Sequence, residues 1–158
     1  MFDFLYKLLD DPAFKAKVKY NLRHFKTNEK ILEQGKPHRC LYLIKSGKVR
    51  VIVRAAIKDE SPIRPGIAEL GENDVFGEFG LFDDHPASAD IIAIDDSVLI
   101  EIDIKTFKTF LDANPEIGYQ VLVSMLNKLA SRLRRADKTI FTLYSWGMKA
   151  HKLNQFLE

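Results

Sequence analysis

The chain has 158 residues, 46% of them apolar and 29% charged, which suits one folded domain with a real hydrophobic core and excludes a disordered or collagenous chain. With 24 Lys and Arg against 22 Asp and Glu, its net charge of +2 lacks the basic excess that nucleic-acid binding leaves on a sequence. A single cysteine, Cys40, excludes an internal disulfide or paired-cysteine metal site, and no apolar run approaches the ~18 residues of a membrane span.

In chain order, residues 3–9 and Pro12–Tyr20 read as short helices, with Pro12 suited to a first turn and Phe14 and Val18 four apart on one face. Short extended runs follow: Ile31-Leu32, Cys40–Lys45, Lys48–Arg54, Gly66–Leu70, Ala89–Ile94 and Val98–Ile102. Ser46-Gly47 signals a tight hairpin, with Gly47 supplying a positive φ. Pro62 and Pro65 mark Asp59–Gly66 as a loop. Ile100, Ile102 and Ile104 alternate with Glu101 and Asp103, as a half-buried strand requires. Many short strands with frequent turns give a mainly β fold with added helices: an antiparallel sandwich, jelly roll or barrel.

Past Ile104 the period becomes helical. Lys105–Ala113 is a short helix stopped by Asn114-Pro115, and Pro115 opens a much longer one. Along it Leu122, Leu126, Leu129, Leu133, Ala136, Ile140 and Leu143 make an a/d seam, the pattern of a coiled coil. Ile117, Val121 and Met125 form a second stripe. The two stripes read either as one wide core-facing band or as faces for two partners, one of them a second copy of the chain. Gly147 is expected to bend or end the helix, leaving Met148–Leu157 as a last short one. Lys128, Arg132, Arg134, Arg135 and Lys138 read as a solvated face.

Charge is not spread evenly. Residues 1–64 hold 15 bases against 7 acids, Pro65–Ile104 hold 11 acids and no base, and residues 105–158 hold 9 bases against 4 acids. Either folding interleaves the acidic block with basic neighbours, or a pocket built from it repels anions.

Within that block lies Val75-Phe76-Gly77-Glu78-Phe79-Gly80-Leu81-Phe82, followed by Ala87-Ser88-Ala89-Asp90. Gly77 and Gly80 flank a carboxylate where a strand turns into an apolar helical segment. Glycines there let backbone approach a ligand, the N–H groups of residues 79–82 are expected at a helix N-terminus, and Glu78 can accept a sugar hydroxyl. Phe76, Phe79 and Phe82 read as core.

These residues, with Ile31-Leu32-Glu33-Gln34-Gly35 and Leu41–Val49, resemble the cyclic-nucleotide-binding domain family, as found in catabolite activator proteins. The likeness runs from about Leu22 to Leu143. It implies an eight-stranded antiparallel jelly-roll barrel with short N-terminal helices, spanning 1–114, and a long C-terminal dimerisation helix within 115–158 of the same domain. Leu41–Val49 looks like the family's central hairpin, and Phe76–Leu81 is similar to its phosphate-binding cassette. Carried over, Gly77, Phe79 and Gly80 present backbone to the ligand, Glu78 accepts the ribose 2′-hydroxyl, and Ser88 and Ala89 meet the cyclic phosphate. The sequence departs at Ala87, where the family has an arginine that forks onto the phosphate. A replacement cation is expected from Arg64, Arg39, Arg132 or Arg135, and Arg132 lies on the helix that covers the base in the family.

The resemblance implies a non-enzymatic cytoplasmic sensor of cyclic AMP or cyclic GMP, with no other cofactor. Its partner is a second copy along the Leu122–Leu143 seam, a further protein partner being compatible. The alternative is a degenerate pocket kept as a dimerisation or docking scaffold. Family regulators carry a DNA-reading domain after the seam helix, and only about fifteen residues follow Leu143 here, so direct DNA binding is not expected. His24, His38, His85 and His151 are scattered without metal-ligand spacing, Ser88 has no paired histidine, and Cys40 reads as a small buried side chain.

Overall fold

The computed structural model describes residues 3–53 and 66–150. The loop expected at Asp59–Gly66 falls outside these, Gly66 excepted, as do Arg64 and residues 151–157 of the expected last helix. The chain divides into two compact units, Met1–Gly118 and Tyr119–Glu158.

The first unit opens with α1 (Asp3–Asp10) and α2 (Pro12–Lys17). Asp11 caps α2, its Oδ1 accepting from the amides of Ala13 at 2.7 Å and Phe14 at 3.0 Å. The helix stops at Lys17 and not at Tyr20, because Val18 turns extended and the chain enters a strand that the sequence pattern did not reveal, β1 (Tyr20–Phe25). β1 pairs with the last strand from Tyr20↔Ile102 to Phe25↔Ser97. That long-range ladder holds it extended, while Asn21–His24 stay exposed and leave no alternation to read.

The other strands are β2 (Lys30–Leu32), β3 (Cys40–Ser46), β4 (Val49–Ile52), β5 (Gly66–Leu70), β6 (Val75–Phe76), β7 (Asp90–Ala93) and β8 (Ser97–Asp103). They form two four-stranded antiparallel sheets, in the orders β1-β8-β3-β6 and β2-β7-β4-β5. β3 and β4 therefore lie in different sheets, and Ser46-Gly47 is a corner between sheets where a hairpin was expected. Gly47 does take the positive φ, 89°. A Cβ there would stand 2.8 Å from the Asp96 carbonyl oxygen, so the corner closes only on glycine.

Phe25, Tyr42, Ile44, Phe76 and Leu99 of one sheet meet Val49, Leu70, Ile91 and Ala93 of the other in the core between them. The opposite face of β3 and β8 is buried as well, through the cross-strand pairs Leu41↔Ile102 and Leu43↔Ile100. Each such side chain contributes ~1.5–3 kcal/mol on burial. α1 reaches β3 where the Tyr6 hydroxyl donates to the Ile44 carbonyl at 3.1 Å. Phe14 of α2 meets, edge-on, Phe107 and Phe110 of α3 (Ile104–Ala113), with centroids 5.9 and 5.2 Å apart. Asp103 caps α3 by accepting from the Thr106 amide at 2.8 Å.

Folding interleaves the acidic block with the basic N-terminal flank. Arg23 pairs with Glu101 at 3.3 Å, Lys26 with Asp96 at 2.8 Å and Arg50 with Glu69 at 3.0 Å.

In the second unit the described residues are those of the long helix α4 (Pro115–Ala150) beyond Gly118. α4 runs through Gly147 unbroken, contrary to the expected break, because an isolated glycine within thirty-six helical residues weakens a helix without ending it. Leu122, Leu126, Leu133, Ile140 and Leu143 are exposed on the seam, whereas Val121 and Met125 are buried. Among the described residues no helix is long and apolar enough to cross a membrane.

Candidate functional site

The glycine segment starts from β6, whose Phe76 stacks on Tyr42 of β3 with centroids 5.0 Å apart and planes 10° from parallel. Immediately after it the chain turns at Gly77, φ 76°, where a Cβ would come 2.7 Å from the Cys40 carbonyl oxygen. One 3₁₀ turn follows, Glu78–Leu81. With three residues per turn, Glu78 and Leu81 share its inner face and are buried. Phe79 and Phe82, also three apart, share its outer face and are 45% and 50% exposed, so of the three phenylalanines expected in the core only Phe76 lies there. Gly80 sits close under the Ile104 and His38 side chains, a Cβ there coming 2.6 Å from Ile104 Cδ1 and 3.2 Å from His38 Cε1, so a larger residue would have to move these side-chain ends.

The second half of the segment returns at Ala87-Ser88-Ala89. Ala87 and Ala89 are buried and Ser88 is exposed. Gly35 N–H donates to the Ala87 carbonyl and Ala87 N–H donates to the Lys36 carbonyl, both at 2.9 Å. Two residues thus oppose one, a β-bulge whose first residue, Gly35, has φ 82°. Next along, the buried Asp90 accepts the Gln34 amide at 2.8 Å.

Residues 34–40 therefore stitch the two halves together. Gln34, Gly35 and Lys36 hold 87–90, while His38 and Cys40 back the glycines. His38, which sequence spacing gave no reason to select, packs against both Gly77 and Gly80, with its Nδ1 3.3 Å from the Cys40 carbonyl oxygen. Arg132, the remaining sequence-selected residue, belongs to α4 in the second unit and is half-buried.

Cys40, half-buried at the start of β3, has its thiol pushed up from 9.0 to about 11, first by burial and then by Glu101 and Asp103. Burial, and then Glu101, likewise raise the Tyr42 phenol. Burial and the flanking carboxylates thus disfavour the thiolate at Cys40. Beyond the cassette turn, Asp83 faces His85 at 3.3 Å. Among the described residues no three His, Cys, Asp or Glu side chains cluster as metal ligands do.

Glu78 is thus a buried carboxylate directly after the Gly77 turn, with Ala87-Ser88-Ala89 returning beside residues 35 and 36. The family model for the cyclic nucleotide-binding domain matches residues 22–114, from β1 through α3. The chain belongs to that family. It is 28% identical over 134 residues to the CRP-like cAMP-activated global transcriptional regulator of Mycobacterium tuberculosis, covering 85% of this chain and 56% of the regulator. Among solved structures, a cyclic nucleotide-binding domain from Methylobacillus flagellatus superposes with TM-score 0.70 at 25% identity, over 78% of this chain and 67% of that one. The Thermus thermophilus catabolite activator protein does so with TM-score 0.66 at 26% identity, over 90% and 62%. The chain thus spans little more than half the length of the regulator.

Proposed function

We propose that the domain is a non-enzymatic cytoplasmic sensor whose ligand is a cyclic nucleotide, cyclic AMP before cyclic GMP, and whose readout passes through α4. The buried Glu78, held on a glycine turn braced by residues 34–40, carries the reading. A carboxylate kept out of water in this way is pre-organised to accept a ribose hydroxyl, a charge-assisted bond worth ~1.5–3 kcal/mol. Gly77, Phe79 and Gly80 offer backbone groups, and Ser88 a hydroxyl and Ala89 an amide to the phosphate. The name of the mycobacterial relative supports cyclic AMP as the first ligand to try. Binding shifts the population between two arrangements of the cassette, and the exposed Leu122–Leu143 seam carries the shift to a second copy of the chain.

One observation favours a second reading. Ala87 is 6% exposed, so the arginine's place is filled by a small apolar side chain, as in a pocket kept as a scaffold. Calorimetric titration of the full chain with cyclic AMP and cyclic GMP, with Trp146 emission followed in parallel, separates the two. Saturable heat supports the sensor. Silence in both signals at millimolar nucleotide overturns it in favour of the scaffold.

A further inference from the structure

We propose that Lys36 supplies the cation for the ligand's phosphate in place of the arginine that Ala87 displaces; this rests on the cyclic-nucleotide reading above. The acidic block from Pro65 to Ile104 contains no lysine or arginine, so the cation must come from another segment. Among the described residues, the segment hydrogen-bonded to Ala87 is Gly35-Lys36, through the two 2.9 Å bonds of the bulge. They fix the Lys36 backbone beside Ala87, at the adjacent-strand spacing of about 5 Å. A lysine rooted there, on a flexible four-carbon stem, reaches the space an arginine at 87 would use.

The side chain is also free to move. Its stem is 68% exposed and its Nζ rests 2.9 Å from Glu33 Oε2. An exposed pair of this kind is worth no more than ~1 kcal/mol, less than a charge-assisted bond to phosphate. Glu33 keeps a second cation when Lys36 leaves, since Lys30 Nζ stands 4.0 Å from the same oxygen. Gly35, with open space where a Cβ would be, puts no side chain in the path. A lysine binds as a point charge and not as a fork, so the site needs the charge at this position more than a planar group.

The test is calorimetric titration of the full chain with cyclic AMP and, separately, with adenosine, which lacks the phosphate. Lys36→Ala is expected to weaken cyclic AMP ~10-fold or more while leaving adenosine unchanged. Lys36→Arg keeps cyclic AMP affinity, and Ala87→Arg restores it in the Lys36→Ala background. Lys108→Ala, an equal charge change on α3, leaves it alone. If wild type binds cyclic AMP and Lys36→Ala binds it equally well, the role of Lys36 is overturned and the sensor stands. If wild type binds no cyclic nucleotide, the sensor falls and takes this role with it. An unchanged thermal midpoint in Lys36→Ala shows that a lost affinity is not lost folding.

Discussion

At Gly77 the torsion of 76° and the 2.7 Å approach to the Cys40 carbonyl both demand glycine, whereas at Gly80 a Cβ would meet only side-chain ends that can move. The left-handed torsion alone would cost another residue ~1–2 kcal/mol. Cys40 sits behind the same turn, and its raised thiol gives stability a dependence on alkali. The unfolded chain releases this proton near 9 and the folded one near 11, so between those values the unfolded state binds fewer protons and stability falls as pH rises. Below pH 9 the contribution is fully present. The urea midpoint is therefore expected to drop between pH 9 and 11. Cys40→Ala makes the drop shallower, leaving the part due to Tyr42, which is raised in the same sense. An unchanged slope in that variant would place the proton elsewhere.

Along α4 the seam positions set the heptad, with Leu126 and Leu133 at a and Leu122 and Leu129 at d. Arg132 then falls at g and Asp137 at the following e, five residues on. In a parallel, in-register pair these two meet across the interface. Sedimentation is expected to show a dimer that Leu126→Asp with Leu133→Asp converts to monomer. Arg132→Glu weakens it, and adding Asp137→Arg restores it; a dimer indifferent to both charge changes has another register. The seam is legible in sequence because it repeats over three heptads, as is the Asn114-Pro115 break because its chemistry is local. β3, β7 and β8 show as runs of Ile, Leu and Val. β1 does not show, because its partner lies about eighty residues away and the side chains of Asn21–His24 face water. The corner at Ser46-Gly47 has the residues of a hairpin and differs only in which sheet the next strand joins. In the site, the glycines and Glu78 stand out by spacing, whereas the bracing by 34–40 runs largely through backbone bonds that leave no mark on residue type.

For the molecule as a whole, the net charge of +2 conceals an acidic block that the N-terminal flank meets with ion pairs at Glu69, Asp96 and Glu101. The three bridges that do this are largely solvent-exposed and worth ~0.2–1 kcal/mol each, so they set local potential more than stability. Raising NaCl from 0.05 to 1 M is expected to lower unfolding free energy by no more than about 3 kcal/mol, read from urea midpoints. A larger loss would mean that the block depends on its partners to fold. The order of the strands has another consequence. Of the described strands only β4 and β5 are consecutive neighbours in one sheet; every other step along the chain crosses to the opposite sheet. Among the described strands β1 has only β8 beside it, and β8 is not complete until Asp103 is made. Until then it is an open edge with nothing to pair. Such a topology folds late and slowly, on the millisecond-to-second scale of non-local β proteins, and the nascent chain must reach β8 before β1 has a place.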